Sequence, residues 1–410
     1  VHRIDSTKNR SFGLAFGDIN HDGRVDIVSG GYAYHNPGGD MARDWPRVSL
    51  GVEDAVIVCD VDGDEHSDII AQQLPQLIWI EADNAAATQW HQEAVVAQVP
   101  ATSHGNSQGY ARAQIYPGEK EEILIAGGDG VYCITIPQDP GAGAWPCRRI
   151  AAGTTEEWVA TGDVDGDSLV DIAAGSGDSV YWFCNPGTVG VLWSGCGVAA
   201  VVNPQMVRIA DMDGDNRPDV IATEETDHRT LTAHTYWIAQ GVDPLETSLW
   251  QRHTIAVRYS TFGMDVVDMD NDGDMDVITG ENATGSADGD ELTCVWENNG
   301  DATAWTRHII ARGIESHLGS RAVDLDADGD YDVVSICWTD YGDVYVFRND
   351  THPAEVLAVR PAHDNVHHSP NRKGHRYLYQ PSPPGTAVFL PNGRVLAPAI
   401  WGRTVKIRHK

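Results

Sequence analysis

Residues 163–171 read DVDGDSLVD, and the pattern returns as DINHDGRVD from Asp18, DVDGDEHSD from Asp60, DMDGDNRPD from Asp211, DMDNDGDMD from Asp268 and DLDADGDYD from Asp324. A seventh, degraded copy falls at Gln114 in AQIYPGEKEEILIAGG, where the apolar surroundings persist and the acids at the expected offsets are lost. Starts at 18, 60, 114, 163, 211, 268 and 324 give a spacing of 42 to 57 residues. A fixed period of this size marks one supersecondary unit repeated along the chain.

Each acidic nonapeptide leads into a short β-rich run such as VDIVSGG, SDIIAQQ or MDVITGE. An aromatic-rich run follows (LIWIEAD, VYWFCNPG, TYWIAQG), then a third opened by Trp45, Trp90, Trp145, Trp193, Trp250 or Trp305. With the run that enters the acidic loop, every unit supplies four short strands, the content of one propeller blade. The expected fold is therefore an all-β, seven-bladed β-propeller over residues 1–350. VHRID at Val1–Asp5 matches the RHTIA and RHIIA strands, with His2 in the place of His253 and His308, while the last unit lacks its own fourth strand. The N-terminal strand is expected to complete blade seven and so remove an open edge. The Trp-led strands repeat at one blade position, which reads as core packing rather than sugar stacking.

Residues 351–410 break the pattern and form a second region, a basic, Pro-rich extension expected to pack on the propeller. Nine Lys or Arg against two acids give it +7, leaving −39 of the total −32 on the first 350 residues. The hairpin-like VFLPNGRVLAP and a cluster of His363, His367, His368 and His375 lie there. Against 60 Asp plus Glu, only 28 Lys plus Arg make a polyanionic nucleic acid an improbable partner. No stretch approaches the roughly 18–20 apolar residues that cross a bilayer, so no membrane partner is expected, and a monomer is. Val1 as first residue suits a mature secreted chain or a trimmed one, and sequons at Asn9, Asn282 and Asn349 lean extracellular. Cys133 with Cys147 and Cys184 with Cys196 are spaced as hairpin disulfides would be; the alternative is that all seven cysteines are small buried residues.

In D-x-[DN]-x-D-x-x-x-D, oxygens at positions 1, 3, 5 and 9 can converge on one ion if glycine at position 4 or 6 permits a tight turn. The ligand sets are Asp18, Asn20, Asp22 and Asp26; Asp60, Asp62, Asp64 and Asp68; and Asp163, Asp165, Asp167 and Asp171. The others are Asp211, Asp213, Asp215 and Asp219; Asp268, Asp270, Asp272 and Asp276; and Asp324, Asp326, Asp328 and Asp332. Several hard carboxylates per loop suit Ca²⁺ better than Zn²⁺ or Mg²⁺, and the ions read as structural clips. An EF-hand is excluded because position 12 is Ser29, Ala71, Ala174, Ala222, Thr279 or Ser335, never Glu.

These motifs resemble the FG-GAP or VCBS repeat of integrin α-subunit heads, some fungal lectins and several secreted propeller polysaccharide lyases. The resemblance covers residues 1–350. It implies calcium loops on one face of the disc and ligands on the other. In size and repeat style the chain is similar to the single-domain lyases that act on L-rhamnose-α-1,4-D-glucuronate ends of arabinogalactan.

Chemistry is sought on the face opposite the loops, in the connections VPATSHGNSQGYARAQ, EEW, NPQMVR, RYS and ESHLGSR, and at Tyr34–His35, Gln72–Gln73, Glu224, His228, and Trp338 with Asp340 and Tyr341. Three residues before each acidic loop stand Ala15, Ile57, Ala111, Ala160, Arg208, Asp265 and Arg321. Charges in an apolar ring position read either as an internal Arg–Asp–Arg network or as an anion site facing the channel. Uronic-acid elimination needs a guanidinium on the sugar carboxylate and a His or Tyr to move the C5 proton. His104, Tyr110, Arg208 and Arg321 are the expected catalytic set, with His35, Arg258, Tyr259, His317 and Trp158 as substrate-binding residues and an acidic glycan as partner. GNSQG at 105–109 matches G-x-S-x-G without the strand–turn–helix that a nucleophile elbow needs. A calcium-stabilised lectin, an integrin-type adhesion module and a propeller sugar dehydratase are the alternatives; the lectin would need alike pockets between blades.

Overall fold

The computed structural model describes residues 1–350 apart from 40, 119, 284–290, 340 and 341, together with the backbone of two short strands, Val388–Phe389 and Val395–Leu396, which pair antiparallel. The calls on Asp340, Tyr341 and the tail histidines lie outside these residues. The chain divides into two compact units, Val1–Ala354 and Glu355–Lys410.

The first unit is a seven-bladed β-propeller. Strand β1 (His2–Ser6) comes first, then blade one: β2 (Leu14–Gly17), β3 (Asp26–Ser29), β4 (Tyr32–Tyr34) and β5 (Arg47–Ser49). Blade two is β6 (Ala55–Cys59), β7 (Asp68–Gln73), β8 (Gln76–Ala82) and β9 (Trp90–Gln98). Blade three is β10 (Tyr110–Ala113), β11 (Glu122–Gly127), β12 (Gly130–Ile134) and β13 (Cys147–Ala152). Blade four is β14 (Val159–Gly162), β15 (Asp171–Gly175), β16 (Ser179–Cys184) and β17 (Ser194–Ala200). Blade five is β18 (Pro204–Ala210), β19 (Asp219–Glu224), β20 (Ala233–Ala239) and β21 (Gln251–Arg258). Blade six is β22 (Ser260–Val267), β23 (Asp276–Asn282), β24 (Leu292–Asn298) and β25 (Trp305–Arg312). Blade seven holds β26 (Gly319–Val323), β27 (Asp332–Ile336) and β28 (Asp343–Phe347), and β1 pairs antiparallel with β28, His2 opposite Val346.

Each blade is an antiparallel meander whose first strand lies against the first strands of its neighbours, lining a central bore. The second strands are covered on both faces by adjacent blades, so β3, β15, β19 and β27 are buried at every residue. That is why these runs read as continuous apolar stretches rather than alternating ones. The core lies between blades: one cluster joins Trp182 and Val198 to Trp237, Ile238 and Phe262 across blades four to six. Each such aliphatic or aromatic side chain, fully buried, stabilises the ring by about 1.5–3 kcal/mol.

The acidic loops connect first to second strands, all on one rim. Both position 4 and position 6 adopt positive φ in each of the six loops: His21, Gly63, Gly166, Gly214, Asn271 and Ala327, then Gly23, Glu65, Ser168, Asn216, Gly273 and Gly329. One glycine per loop therefore relieves only one of two left-handed residues. The other costs roughly 1–2 kcal/mol that the rest of the loop must offset.

The ninth-position aspartates are buried. Asp26 accepts the backbone N–H of Asn36 at 2.7 Å, Asp171 that of Asn185 at 2.7 Å and Asp276 that of Asn298 at 2.8 Å. The same amide residues then reach back to the preceding blade: Asn185 Nδ2 donates to Ile115 O, Gln240 Nε2 to Val164 O, Asn298 Nδ2 to Met212 O and Asn349 Nδ2 to Met269 O. Asn36 Nδ2 does so across the seam, donating to Leu325 O of blade seven at 2.8 Å. In blade three the residue after the third strand is Thr135, and Lys120 Nζ supplies the donor to Val61 O instead. The degraded repeat also keeps one acid, contrary to the sequence reading: Glu122 stands at position nine, 3% exposed, accepting the N–H groups of Ile115 and Tyr116.

All seven cysteines are free, which corrects the hairpin disulfides. Cys147 faces Ile134 and Cys133 faces Arg148, so the first pair points to opposite sides of its sheet. Cys196 pairs with Trp182, two residues short of Cys184. The sequon asparagines also have structural work: Asn282 is 2% exposed, Asn9 Nδ2 donates to Glu53 O, and Asn349 closes an inter-blade contact.

Candidate functional site

On the acidic rim, carboxylate oxygens of positions 1, 3 and 9 converge within 4.8 Å in the loops holding Asp60, Asp62 and Asp68, and Asp163, Asp165 and Asp171. In the loop of blade seven, one oxygen each of Asp324, Asp326 and Asp328 is buried without a hydrogen-bond partner. Like charges gathered with orphaned oxygens fit a hard divalent cation, and all donors are oxygens, as Ca²⁺ prefers.

On the opposite rim, the structure gathers a cluster of side chains around His104. Its Nδ1 lies 3.1 Å from Glu156 Oε1, and its Nε2 has no hydrogen-bond partner among the described residues. The imidazole is about one-third exposed and stands edge-on to Phe12 and Trp338, with centroids 6.1 and 5.8 Å away. Phe12 and Trp338 stack at 6.0 Å, and the Arg10 guanidinium lies 4.4 Å over the Trp338 ring. Glu157, bonded by Gln108 Nε2, is pushed up to about 8 by burial and by the neighbouring charges of Glu156 and Glu225. It is therefore a neutral acid at pH 7.

Two buried carboxylates hold the segments that carry this pocket. Asp54, 0% exposed, accepts from Phe12 N (3.1 Å), Gly13 N (2.7 Å), Gln72 Nε2 (3.0 Å) and Asn106 Nδ2 (3.0 Å). Gln72 in turn clamps Ser107 through both its amide atoms, so the loop bearing His104 is tied to blade two. A Cβ on Gly13 would sit 1.8 Å from Ala55 O, so only glycine allows this approach. Glu315 accepts from His317 N, Trp338 N and Thr339 N at 2.7–3.0 Å and fixes the Trp338 turn; burial pushes it up to about 7.

The remaining expected site residues are placed elsewhere. Tyr110, 4% exposed, gives its hydroxyl to the backbone of blade one: it accepts Leu14 N at 2.7 Å and donates to Phe12 O at 3.1 Å. It is not a partner of His104, and burial raises its pKa, against a role as an ionised base. Arg208 Nε meets Asp265 Oδ1 at 2.9 Å, and its other nitrogens bond Val207 O and Met264 O. Arg321 crosses the bore from blade seven to Tyr110 of blade three and lies, like Arg208, against the buried Trp158 ring. Trp158 is thus enclosed by arginines and is no open stacking platform.

The structure places four further residues expected to bind substrate. Arg258 is held bidentately by Glu281, at 2.7 and 3.0 Å, and Glu281 is fully buried; the guanidinium is already neutralised. Tyr259 is buried beside it. His35 follows β4, so it lies on the acidic rim, where Asp22 acts on its charge; the turn between second and third strands is Gly30–Gly31. His317 is 5% exposed and pushed down to about 4 by burial, hence neutral, 5.8 Å from the His228 ring, and His228 pairs with Glu225 at 3.1 Å.

Phe12, Arg10 and Asp54 were missed, and EEW was flagged as a connection on this face without a role for Glu156 or Glu157. The adjacent acids before an apolar strand were the only signal available for Glu156 and Glu157.

A family model described as an FG-GAP-like repeat matches residues 163–222 and 268–335. No curated protein sequence matches the chain. Among solved structures, a lectin of Agrocybe aegerita that recognises non-reducing terminal N-acetylglucosamine is similar at 16% identity and TM-score 0.48, over 72% of this chain and 79% of that one. The rhamnogalacturonan lyase YesW is similar at 12% identity and TM-score 0.47, over 86% and 73%. A chain from the complex of BBS1N with ARL6DN is similar at 9% identity and TM-score 0.50, over 85% and 98%. Likeness at these levels carries no function from those proteins to this chain. The chain carries FG-GAP-like repeats and folds as a seven-bladed β-propeller.

Proposed function

We propose that the His104 pocket binds an acidic glycan and cleaves a uronic-acid linkage by β-elimination. The observation that carries this reading is the Glu156–His104 pair, which leaves Nε2 without a partner among the described residues in a cluster that also holds Glu157. With Nδ1–H directed at Glu156, Nε2 carries the lone pair of a base. It would take the C5 proton of the uronate as the C4–O4 bond breaks and C4=C5 forms, while Glu157 gives its proton to the departing O4. Arg10, 4.4 Å over the Trp338 ring, would face the sugar carboxylate and so acidify C5. Trp338 and Phe12 offer apolar surface to a sugar face. Rhamnosyl-glucuronate ends of arabinogalactan are the substrate class this reading takes.

Calcium belongs to the same proposal. The converging loop oxygens and the orphaned ones of Asp324, Asp326 and Asp328 support several bound ions acting as structural clips. The pairing of β1 with β28 supports reading the N-terminal strand as the clasp of the ring. A secreted monomer is the setting in which such calcium loops would stay filled.

The test is incubation of calcium-replete protein with uronate-containing polysaccharides while following the ultraviolet absorbance of the unsaturated product. Product from wild type and none from His104→Ala of unchanged melting temperature is expected. Absence of product with every uronate substrate refutes the lyase; glycan binding without product makes the protein a sugar-binding module instead.

A further inference from the structure

The bore holds two guanidiniums and one carboxylate. Asp265 is spent on Arg208 at 2.9 Å, and its oxygens also accept Ala322 N at 2.9 Å and Val266 N at 3.1 Å. Each nitrogen of Arg208 has a partner, in that pair or in one of two backbone carbonyls. Arg321 has a single polar contact, Nη2 to the Tyr110 hydroxyl at 3.1 Å, and that hydroxyl is already engaged with Leu14 N and Phe12 O. Its Nε is buried without a partner, and the rest of the guanidinium meets ring faces, 4.3 Å from the Trp158 centroid and 5.2 Å from that of Tyr110. Among the described residues no carboxylate pairs with Arg321.

A part-buried guanidinium with a second arginine on the same Trp158 ring, and one carboxylate already paired with that second arginine, leaves an excess of one positive charge. Ring faces attract the cation but cannot accept its N–H hydrogens in plane, and a buried donor left unmade costs about 1–3 kcal/mol. The missing component is an acceptor of charge −1 small enough for a bore lined by Ala15, Ala111 and Ala160.

We propose that the bore binds a small monovalent anion, chloride in ordinary saline, on Arg321. The anion accepts from the guanidinium and balances the Arg208–Asp265–Arg321 set, tying blade seven to blades three and four across the axis. The site is separate from the pocket of His104 and stands whether or not that pocket is a lyase.

The experiment compares melting temperatures of wild type and Arg321→Met in sodium chloride and in sodium isethionate, a bulkier anion, at equal ionic strength and calcium. Wild type should melt about 2 °C higher in chloride, saturably, as expected of a ligand that binds only the folded state, and Arg321→Met should show no difference. Crystals of wild type in bromide should give an anomalous peak beside Arg321. Identical melting in the two salts, a chloride response retained by Arg321→Met, or no bromide in the bore would each overturn the proposal. The bromide experiment needs no variant, so it decides the matter even if Arg321→Met does not fold.

Discussion

Replacing Asp54 by alanine should disable the pocket without touching any residue in it. Four donors lose their acceptor: the backbone N–H groups of Phe12 and Gly13, Gln72 Nε2 and Asn106 Nδ2. At about 1–3 kcal/mol for each buried donor left unmade, and allowing water into the cavity, the loss is about 3–5 kcal/mol, a fall of roughly 6–10 °C in melting temperature. The donors cannot simply turn away. Gln72 Oε1 accepts Ser107 N and Asn106 Oδ1 accepts Leu74 N, so flipping either amide breaks a second bond. Asp54→Asn keeps an acceptor for Phe12 and Gly13 but sets an NH₂ against two others, and should cost about half as much. Thermal melts of both variants and hydrogen exchange at Phe12, Gly13 and Ser107 measure this. An alanine variant within about 1 kcal/mol of wild type, with those amides still protected, would refute the account of Asp54 as the anchor.

Glu157 is held up to about 8, so as a proton donor it serves below that pH and fails above it: activity should fall on an alkaline limb near 8, seen in a pH–rate profile. The raised folded-state pKa also means its contribution to stability is complete at low pH and is lost as pH climbs from the ordinary carboxyl range to about 8; Glu157→Gln should out-melt wild type at pH 9 and match it at pH 4. Chelating calcium should lower the melting temperature reversibly, with Ca²⁺ and not Mg²⁺ restoring it, as differential calorimetry would record. Glu281→Gln should destabilise the ring by about 3 kcal/mol by removing the buried carboxylate that holds Arg258 bidentately, whereas Arg258→Met should cost less, a contrast measurable in urea melts.

The repeat was legible because its period and its loop chemistry are local. Asp, Gly and an apolar run recur within a dozen residues, and the blade follows. The pocket was legible only where it coincides with a long, unlike loop, as His104 does. Its supports were hidden because they act between blades: Asp54 reads as one more acid in GVEDAV, yet its partners come from residues 12, 13, 72 and 106. The register comparison flagged Arg208, Asp265 and Arg321 as a group, and the structure pairs two of them directly. It could not reveal that Tyr110 and Trp158 close over the third, since that contact spans the bore. His35 was misplaced by a turn: the Gly30–Gly31 pair reverses the chain earlier than the aromatic run suggested.

The seam between blade seven and blade one is fastened more than once. Beyond the β1–β28 ladder, Asp5 receives both the Tyr34 hydroxyl and the Arg47 guanidinium of blade one at 2.7 Å, and Asn36 clasps Leu325. Two boundaries lack the amide that joins the others: between blades two and three Lys120 Nζ donates to Val61 O, and between blades one and two, where Asp83 follows the third strand, Ser67 Oγ donates to Asp18 O. A pulling or heating experiment should therefore open the ring on one side or the other of blade two, while the seam between blades seven and one stays buckled.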